Sequence, residues 1–337
     1  MNNNNRNISL DVLRIIACFL VVFYHCRTVN TNPIAFSNPI NIINGISTFI
    51  AFVLGRLGVP LFLLIGGYFA FSNQINTFAF LRKRLARIVI PAAFWLVLNT
   101  LLISGTNNFI HNIWNLTCAG HLWYIYTLIG ILFLIPVVNP FLQQASNKEL
   151  SIYLCIWGLS LIFNGNNFKA LSVYSLTNYG MCTPNIVLSF INFYGFFGYY
   201  ICGFMLKRHS MNKYMIMCFV VLSMFIWGIS TFSHGISVSN LYSNWLYLSI
   251  PVVLISVSIF SIVSNLNVRY GGGEKVRIVS YFTFGVYLVH WLIIDKLSQM
   301  AFFQNANVFI TTAAVFSLSF CVTYLISKLP YHKYIIG

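Results

Sequence analysis

The sequence predicts an all-α, polytopic membrane protein with about ten transmembrane helices. Three observations predict it. The 337 residues are 58% hydrophobic and only 7% charged, with mean hydropathy +0.80, which is more apolar surface than a water-soluble domain can hide. The apolar residues come in runs near the length that crosses a bilayer, about 20 residues as a helix. The Lys and Arg residues between the runs alternate between abundant and scarce, as the preference of cations for the cytoplasmic side requires.

In order, the spans read 8–29, 46–71, 85–104, 119–142, 150–164, 186–206, 214–233, 245–264, 279–297 and 308–327. With the N-terminus inside, most of the 19 basic residues fall in inner segments. The outer side holds only Arg27, Lys169 and Lys296, and Arg14 and Arg56 lie within spans. The fifth stretch is short for a crossing. Removing it would carry Lys207, Arg208 and Lys213 outside, so the charge bias keeps it and puts both termini in the cytoplasm. The net charge of +15 therefore reads as topology rather than as a nucleic-acid surface. Residues 1–7 are a short polar tail with no cleavable signal pattern, 8–328 a single transmembrane domain, and 329–337 a cytoplasmic C-terminal tail. No internal repeat appears. Cys118 and Cys182 fall in predicted outer loops with nothing in their spacing to pair them. No Cys or His pattern suggests a metal.

The first span, ISLDVLRIIACFLVVFYHCRTV, carries Asp11, Arg14 and His25 inside an otherwise apolar run. Ionisable groups in hydrocarbon are costly, so they face a protein interior or a wet cavity and mark function. Arg14 and His25 are eleven residues apart, roughly 16 Å along a helix. Eleven steps of about 100° bring both to one face, and Asp11, three before Arg14, shares it. His25 is the candidate general base or transient acyl carrier, because neutral imidazole is poised near pH 7. Arg14 either binds a donor's phosphates or amides, or pairs with Asp11. About 21 Å of helix rise argues against an Asp11–His25 relay. Asp295 is the better-placed carboxylate, although beside Lys296 it reads first as a surface charge.

Further along, Arg56 lies well inside the second span and needs a partner. It either orients an acceptor and steadies an oxyanion, or pairs with backbone carbonyls. Gly66 and Gly67 allow close helix approach, and Tyr68 follows near the inner face. Arg82, Lys83, Arg84 and Arg87 form a cationic cluster as the third span begins. It serves either as a stop-transfer signal or as a clamp for a phosphorylated ligand. His121 opens the fourth span with Trp123, Tyr124 and Tyr126 behind it, which suits either an interfacial aromatic belt or a sugar-stacking surface. Tyr287 and His290, one turn apart, read as packed or supporting residues. Residues 271–275 read as a flexible inner loop without a phosphate-loop pattern.

These stretches together resemble one family. LDVLRIIACFLVVFYH, with ten residues between Arg14 and His25, is similar to the first-helix signature of the acyltransferase type 3 family of integral membrane acyltransferases. VPLFLLIGGYF resembles its second-helix motif, with Gly66 where a serine is usual, so no hydroxyl role carries over to that position. Arg84-Leu85-Ala86-Arg87 matches its RxxR element. HLWYIYTLIGILFLIPVVNPF resembles the fourth-helix region of the branch that includes the enterobacterial common antigen O-acetyltransferase. TFGVYLVH, ending at His290, resembles a late-helix motif.

The resemblance implies transfer of an acyl group, acetyl from acetyl-CoA or another such as succinyl, to a hydroxyl of a surface or lipid-linked glycan in a bacterial inner membrane. The expected assignment is then His25, Arg14 and Asp11 at the chemistry, and Arg84, Arg87, Arg82 and Tyr68 on the donor. Arg56, His121, Trp123, Tyr287 and His290 fall on the acceptor. Expected partners are acyl-CoA, the glycan and the bilayer, with a homo-oligomer left open. The principal rival is a transporter or flippase of a lipid-linked sugar, for which the titratable carboxylates are few. A scaffold for a glycan-synthesis complex, in which Arg14 and His25 would be dispensable, is the third reading.

Overall fold

A computed structural model describes residues 7–29, 39–72, 75–163, 193–233, 245–266 and 273–337. Every regular element among them is helical. The elements are α1 (Ile8–Cys26), α2 (Pro39–Gly55), α3 (Gly58–Ala70), α4 (Thr77–Ser104), α5 (Phe109–Trp114), α6 (Trp123–Gln144), α7 (Asn147–Phe163), α8 (Phe193–Arg208), α9 (Lys213–Ser233), α10 (Ile250–Asn265), α11 (Gly273–Ser298), α12 (Ala301–Asn305), α13 (Val308–Ile326) and α14 (Lys333–Ile336). A single 3₁₀ turn at Gly120–Leu122 leads into α6.

Among the described residues, seven helices are long and apolar enough to cross a membrane: Ile8–Cys26, Ile43–Ala70, Thr77–Ser104, Gly120–Gln144, Lys213–Phe232, Gly273–Ser298 and Val308–Ile326. The other three spans read from sequence coincide with α7, α8 and α10. These have 17, 16 and 16 residues, so each falls short of a full perpendicular crossing of about 20. The first residues of the sixth span, 186–192, lie outside the described residues, as does Cys182.

Local chemistry explains the boundaries. Asn7, Asn76 and Asn307 cap α1, α4 and α13, each side chain accepting the N–H of Ser9, Ala79 and Phe309 at 3.0 Å. Because Asn76 caps α4 at Thr77, the helix begins ahead of the span expected from residue 85 and carries the whole cluster Arg82–Arg87. Likewise Gly273 to Lys275, read as loop, form the first turn of α11.

The second span is broken at Arg56 and Leu57. A Cβ at Gly55 would collide with Tyr24, and one at Gly58 with the Ala17 carbonyl and Val21. The two glycines let the broken segment press against α1.

Helix α1 is the axis of the bundle and touches α2, α3, α10, α11 and α13. Its buried side chains, from Leu10 to Cys26, sit in both hydrophobic clusters of the molecule. Helices α3 and α8 pack closely, with Gly66 and Gly67 under Tyr200 and Gly203 under the Leu64 carbonyl. Residues 329–337, set apart from the membrane domain by sequence, fold back on it. Trp95 Nε1 donates to the Ile335 carbonyl at 2.9 Å, and Ile336 is buried.

Candidate active site

Helices α1 and α11 run side by side and place the polar groups of the first span against those of the ninth. At the start of α1, Asp11 is buried. It accepts a hydrogen bond from Ser280 Oγ at 2.8 Å and faces Arg14 at 3.4 Å. Arg14 also reaches Ser280 Oγ at 3.4 Å. Asp11 therefore holds Arg14 in place and ties α1 to α11. It is not brought to His25, in keeping with the helix rise between them.

Arg14 lines a cavity of about 290 Å³ walled by α3, α4, α6, α8 and α11. Arg84 stands in the same cavity, and Phe80, on its own helix, lies 5.8 Å under its guanidinium. Tyr124, Tyr200, Tyr287 and Thr283 supply the remaining polar lining among apolar side chains such as Phe62 and Phe284. Tyr200 fills the space beside Gly66, so the hydroxyl missing at that position is met by one from the facing helix.

Tyr287 is shared between this cavity and a buried histidine cluster. Its hydroxyl donates to the His121 carbonyl, and its ring lies 5.6 Å from His121 and 5.7 Å from His290. The His290 ring is 5.0 Å from that of His121 and 5.4 Å from that of His25. Trp291 closes the group, stacked on His121 at 5.3 Å and edge-on to His25 at 5.2 Å. His290 Nδ1 lies 2.6 Å from the Tyr287 carbonyl, which can only accept, so that nitrogen carries the proton and Nε2 keeps its lone pair. No group of three or more His, Cys, Asp or Glu residues that could hold a metal occurs among the described residues.

The charges facing His25 are cationic. Arg27 donates to the Tyr24 hydroxyl at 2.9 Å, and its guanidinium lies 4.4 Å from that ring. Arg56, at the break between α2 and α3 and 4% exposed, packs 4.6 Å from Tyr24 and 4.4 Å from Tyr247. Aromatic faces partner these cations. Asp295 pairs with Lys296 at 3.1 Å, so the nearest-placed carboxylate is engaged there.

Several expected groupings differ from this arrangement. Trp123 does not line the cavity; it is buried against Phe196 and Tyr247. Tyr68 also lies outside the cavity and packs against Phe69, Phe260 and Lys207. Arg84 and Arg87 separate: Arg84 lines the intramembrane cavity, and Arg87 lines a surface groove with Arg82. Sequence reasoning missed Ser280, Tyr200, Trp291, Arg27 and Tyr247. Trp291 adjoins His290, so the late-helix motif pointed at it. Tyr200 carries no local signal, because only the packing of α8 on Gly66 brings it in.

The family model described as "Acyltransferase domain" matches residues 7–328. The chain belongs to this acyltransferase family. It is a multi-pass membrane protein of that family, and the first-helix and late-helix motifs are the ones that meet at His25 and His290. Among curated proteins, it is similar to the "Probable poly-beta-1,6-N-acetyl-D-glucosamine export protein" of Staphylococcus aureus (strain Mu50 / ATCC 700699). The two are 24% identical over 94% of this chain and 91% of that protein. The same protein in strains MSSA476 and MW2 is 23% identical with the same coverage. No solved structure matches the chain.

Proposed function

We propose that this membrane acyltransferase moves an acyl group, in the simplest case acetyl from acetyl-CoA, to a hydroxyl of a surface or lipid-linked glycan. One observation carries the reading: Tyr287 joins the cavity of Arg14 and Arg84 to the cluster of His25, His121 and His290. A thioester donor has an anionic end and an uncharged arm. Arg84 and Arg14 suit the first, and the Tyr- and Phe-lined cavity suits the second.

In this mechanism His25 takes the proton of the acceptor hydroxyl as its oxygen attacks the thioester carbonyl. The carbonyl pair moves onto oxygen, and Arg56 and Arg27 steady the negative charge. The intermediate collapses, the C–S bond breaks, and the CoA thiolate leaves and takes up the proton. His290, fixed by the Tyr287 carbonyl, supports the His25 ring. The acceptor class is an aminosugar polymer, by similarity to relatives named for poly-β-1,6-N-acetylglucosamine. The compartment is the bacterial cytoplasmic membrane.

The printed name of those relatives favours one second reading, an exporter of that polymer. Reconstituted protein separates the two. An acyltransferase releases CoA from acetyl-CoA only when glycan is supplied. An exporter moves glycan across the vesicle wall and leaves acetyl-CoA intact, and that result would replace the present reading.

A further inference from the structure

A second and larger groove, about 1010 Å³, lies between the start of α4 and the segment that follows α13. Arg82, Lys83 and Arg87 line it from α4, and Lys328 and Lys333 line it from the other side with His332. Among the described residues none of these five cations has an ion pair. The chain holds only four Asp and Glu side chains. Three of them are engaged elsewhere: Asp11 with Arg14, Asp295 with Lys296, and Glu149 with Ser146.

A topology signal explains cations on one side of the membrane. It does not explain why residues from opposite ends of the sequence are gathered around one groove. The chain spends structure on gathering them. Trp95 anchors the Ile335 carbonyl, Ile336 is buried, and α14 packs on α4 and α11. Tyr331 adopts a left-handed backbone, φ +62°, which costs a bulky residue about 1–2 kcal/mol. Tyr331 is 78% exposed at the groove, so packing within the protein does not offset that strain. The Tyr334 ring lies 6.4 Å away. Cations without ion pairs, of which Lys328 has only the Tyr324 ring 4.7 Å from its Nζ, beside an exposed, strained aromatic fit phosphates joined to a flat base. Arg87 lines this groove, and Arg84, one turn away on the same helix, lines the intramembrane cavity, so α4 borders both.

We propose that the segment from Lys328 to Tyr334, with Arg82 and Arg87, binds a purine nucleotide carrying several phosphates, the nucleotide end of the donor. Lys328 and Lys333 contact phosphate, and Tyr331 stacks on the base. The inference rests on the acyl-CoA reading above. A phosphate headgroup of an anionic lipid shares this chemistry, and the test separates the two.

The test uses full-length protein in nanodiscs of phosphatidylcholine, with or without phosphatidylglycerol. Calorimetry measures binding of acetyl-CoA and of adenosine 3′,5′-bisphosphate as the nucleotide end alone. Losing two charge-assisted contacts in Lys328→Gln/Lys333→Gln raises both Kd values by about tenfold or more, and Lys328→Arg/Lys333→Arg restores them. Tyr331→Gly relieves the backbone strain, keeps the melting temperature, and still weakens both ligands. If wild type binds acetyl-CoA and the Gln variant binds it equally well, the inference is overturned while the donor reading stands. Equal acetyl-CoA binding combined with stabilisation by phosphatidylglycerol in wild type alone makes the groove a headgroup site and also overturns it. If wild type binds no acetyl-CoA in any nanodisc, the donor reading fails, and the inference with it.

Discussion

His25 near the end of α1 and His290 in α11 lie with their rings 5.4 Å apart, while the Tyr287 carbonyl fixes the proton of His290 on Nδ1. Neither ring has a carboxylate partner among the described residues, so each histidine faces an imidazole rather than an acid. His290→Ala is expected to lower kcat with little change in the KM for the donor. Its effect should be smaller than that of His25→Ala, and His290→Gln, which keeps a polar group, should recover part of the loss. Steady-state kinetics on the three variants check this. A rise in KM alone would place His290 in binding instead.

Asp11 holds Arg14 and Ser280 together at the other end of α1. Asp11→Ala strands two polar partners and is expected to cost roughly 1–3 kcal/mol of stability. Because Arg14 and Asp11 touch, the double variant Asp11→Ala/Arg14→Ala should be less damaged than the sum of the singles. Thermal unfolding in nanodiscs gives all three values, and strict additivity would deny the coupling.

Gly66 and Gly67 both pack under Tyr200, in different ways. A Cβ at Gly67 meets Tyr200 backbone, whereas one at Gly66 meets only its ring and hydroxyl. Gly67→Ala is therefore expected to destabilise more than Gly66→Ala, by about 1–3 kcal/mol or beyond, as overpacking does. Tyr200→Ala should rescue Gly66→Ala and leave Gly67→Ala impaired. Melting temperatures of the singles and doubles decide it, and rescue of both would mean α8 yields freely.

Arg84 has no ion pair among the described residues and faces the cavity of Arg14. Arg84→Ala is expected to raise the donor KM about tenfold, the loss of one charge-assisted contact, with kcat nearly kept. The KM of the wild type should rise with salt more steeply than that of the variant. Identical salt slopes would remove Arg84 from the donor site.

How much of this was legible in the sequence follows from which forces are local. The helices were legible because hydropathy and run length decide them. Asp11, Arg14 and His25 stood out because charge inside a span is rare. The broken second span was not legible, since Gly55 and Gly58 act only through α1 packed against them. The full length of α4 was not legible, because the asparagine cap Asn76 starts the helix at Thr77, ahead of the apolar run that marks the span from 85. Trp123 was read as part of an interfacial belt or a sugar-stacking surface, and its burial against Phe196 and Tyr247 depends on helices far away in sequence. Tyr200 and Ser280 depend on which helices become neighbours, and periodicity along one helix carries no record of that.

The most direct measurement supplies purified protein in nanodiscs with ¹⁴C-acetyl-CoA and oligosaccharides of poly-β-1,6-N-acetylglucosamine, and follows label into alkali-labile ester on the glycan. Wild type should transfer label. His25→Ala, folded by its melting curve, should do so roughly 10²–10⁴-fold more slowly, the worth of a positioned general base. Transfer by His25→Ala at the wild-type rate would contradict the account at its centre.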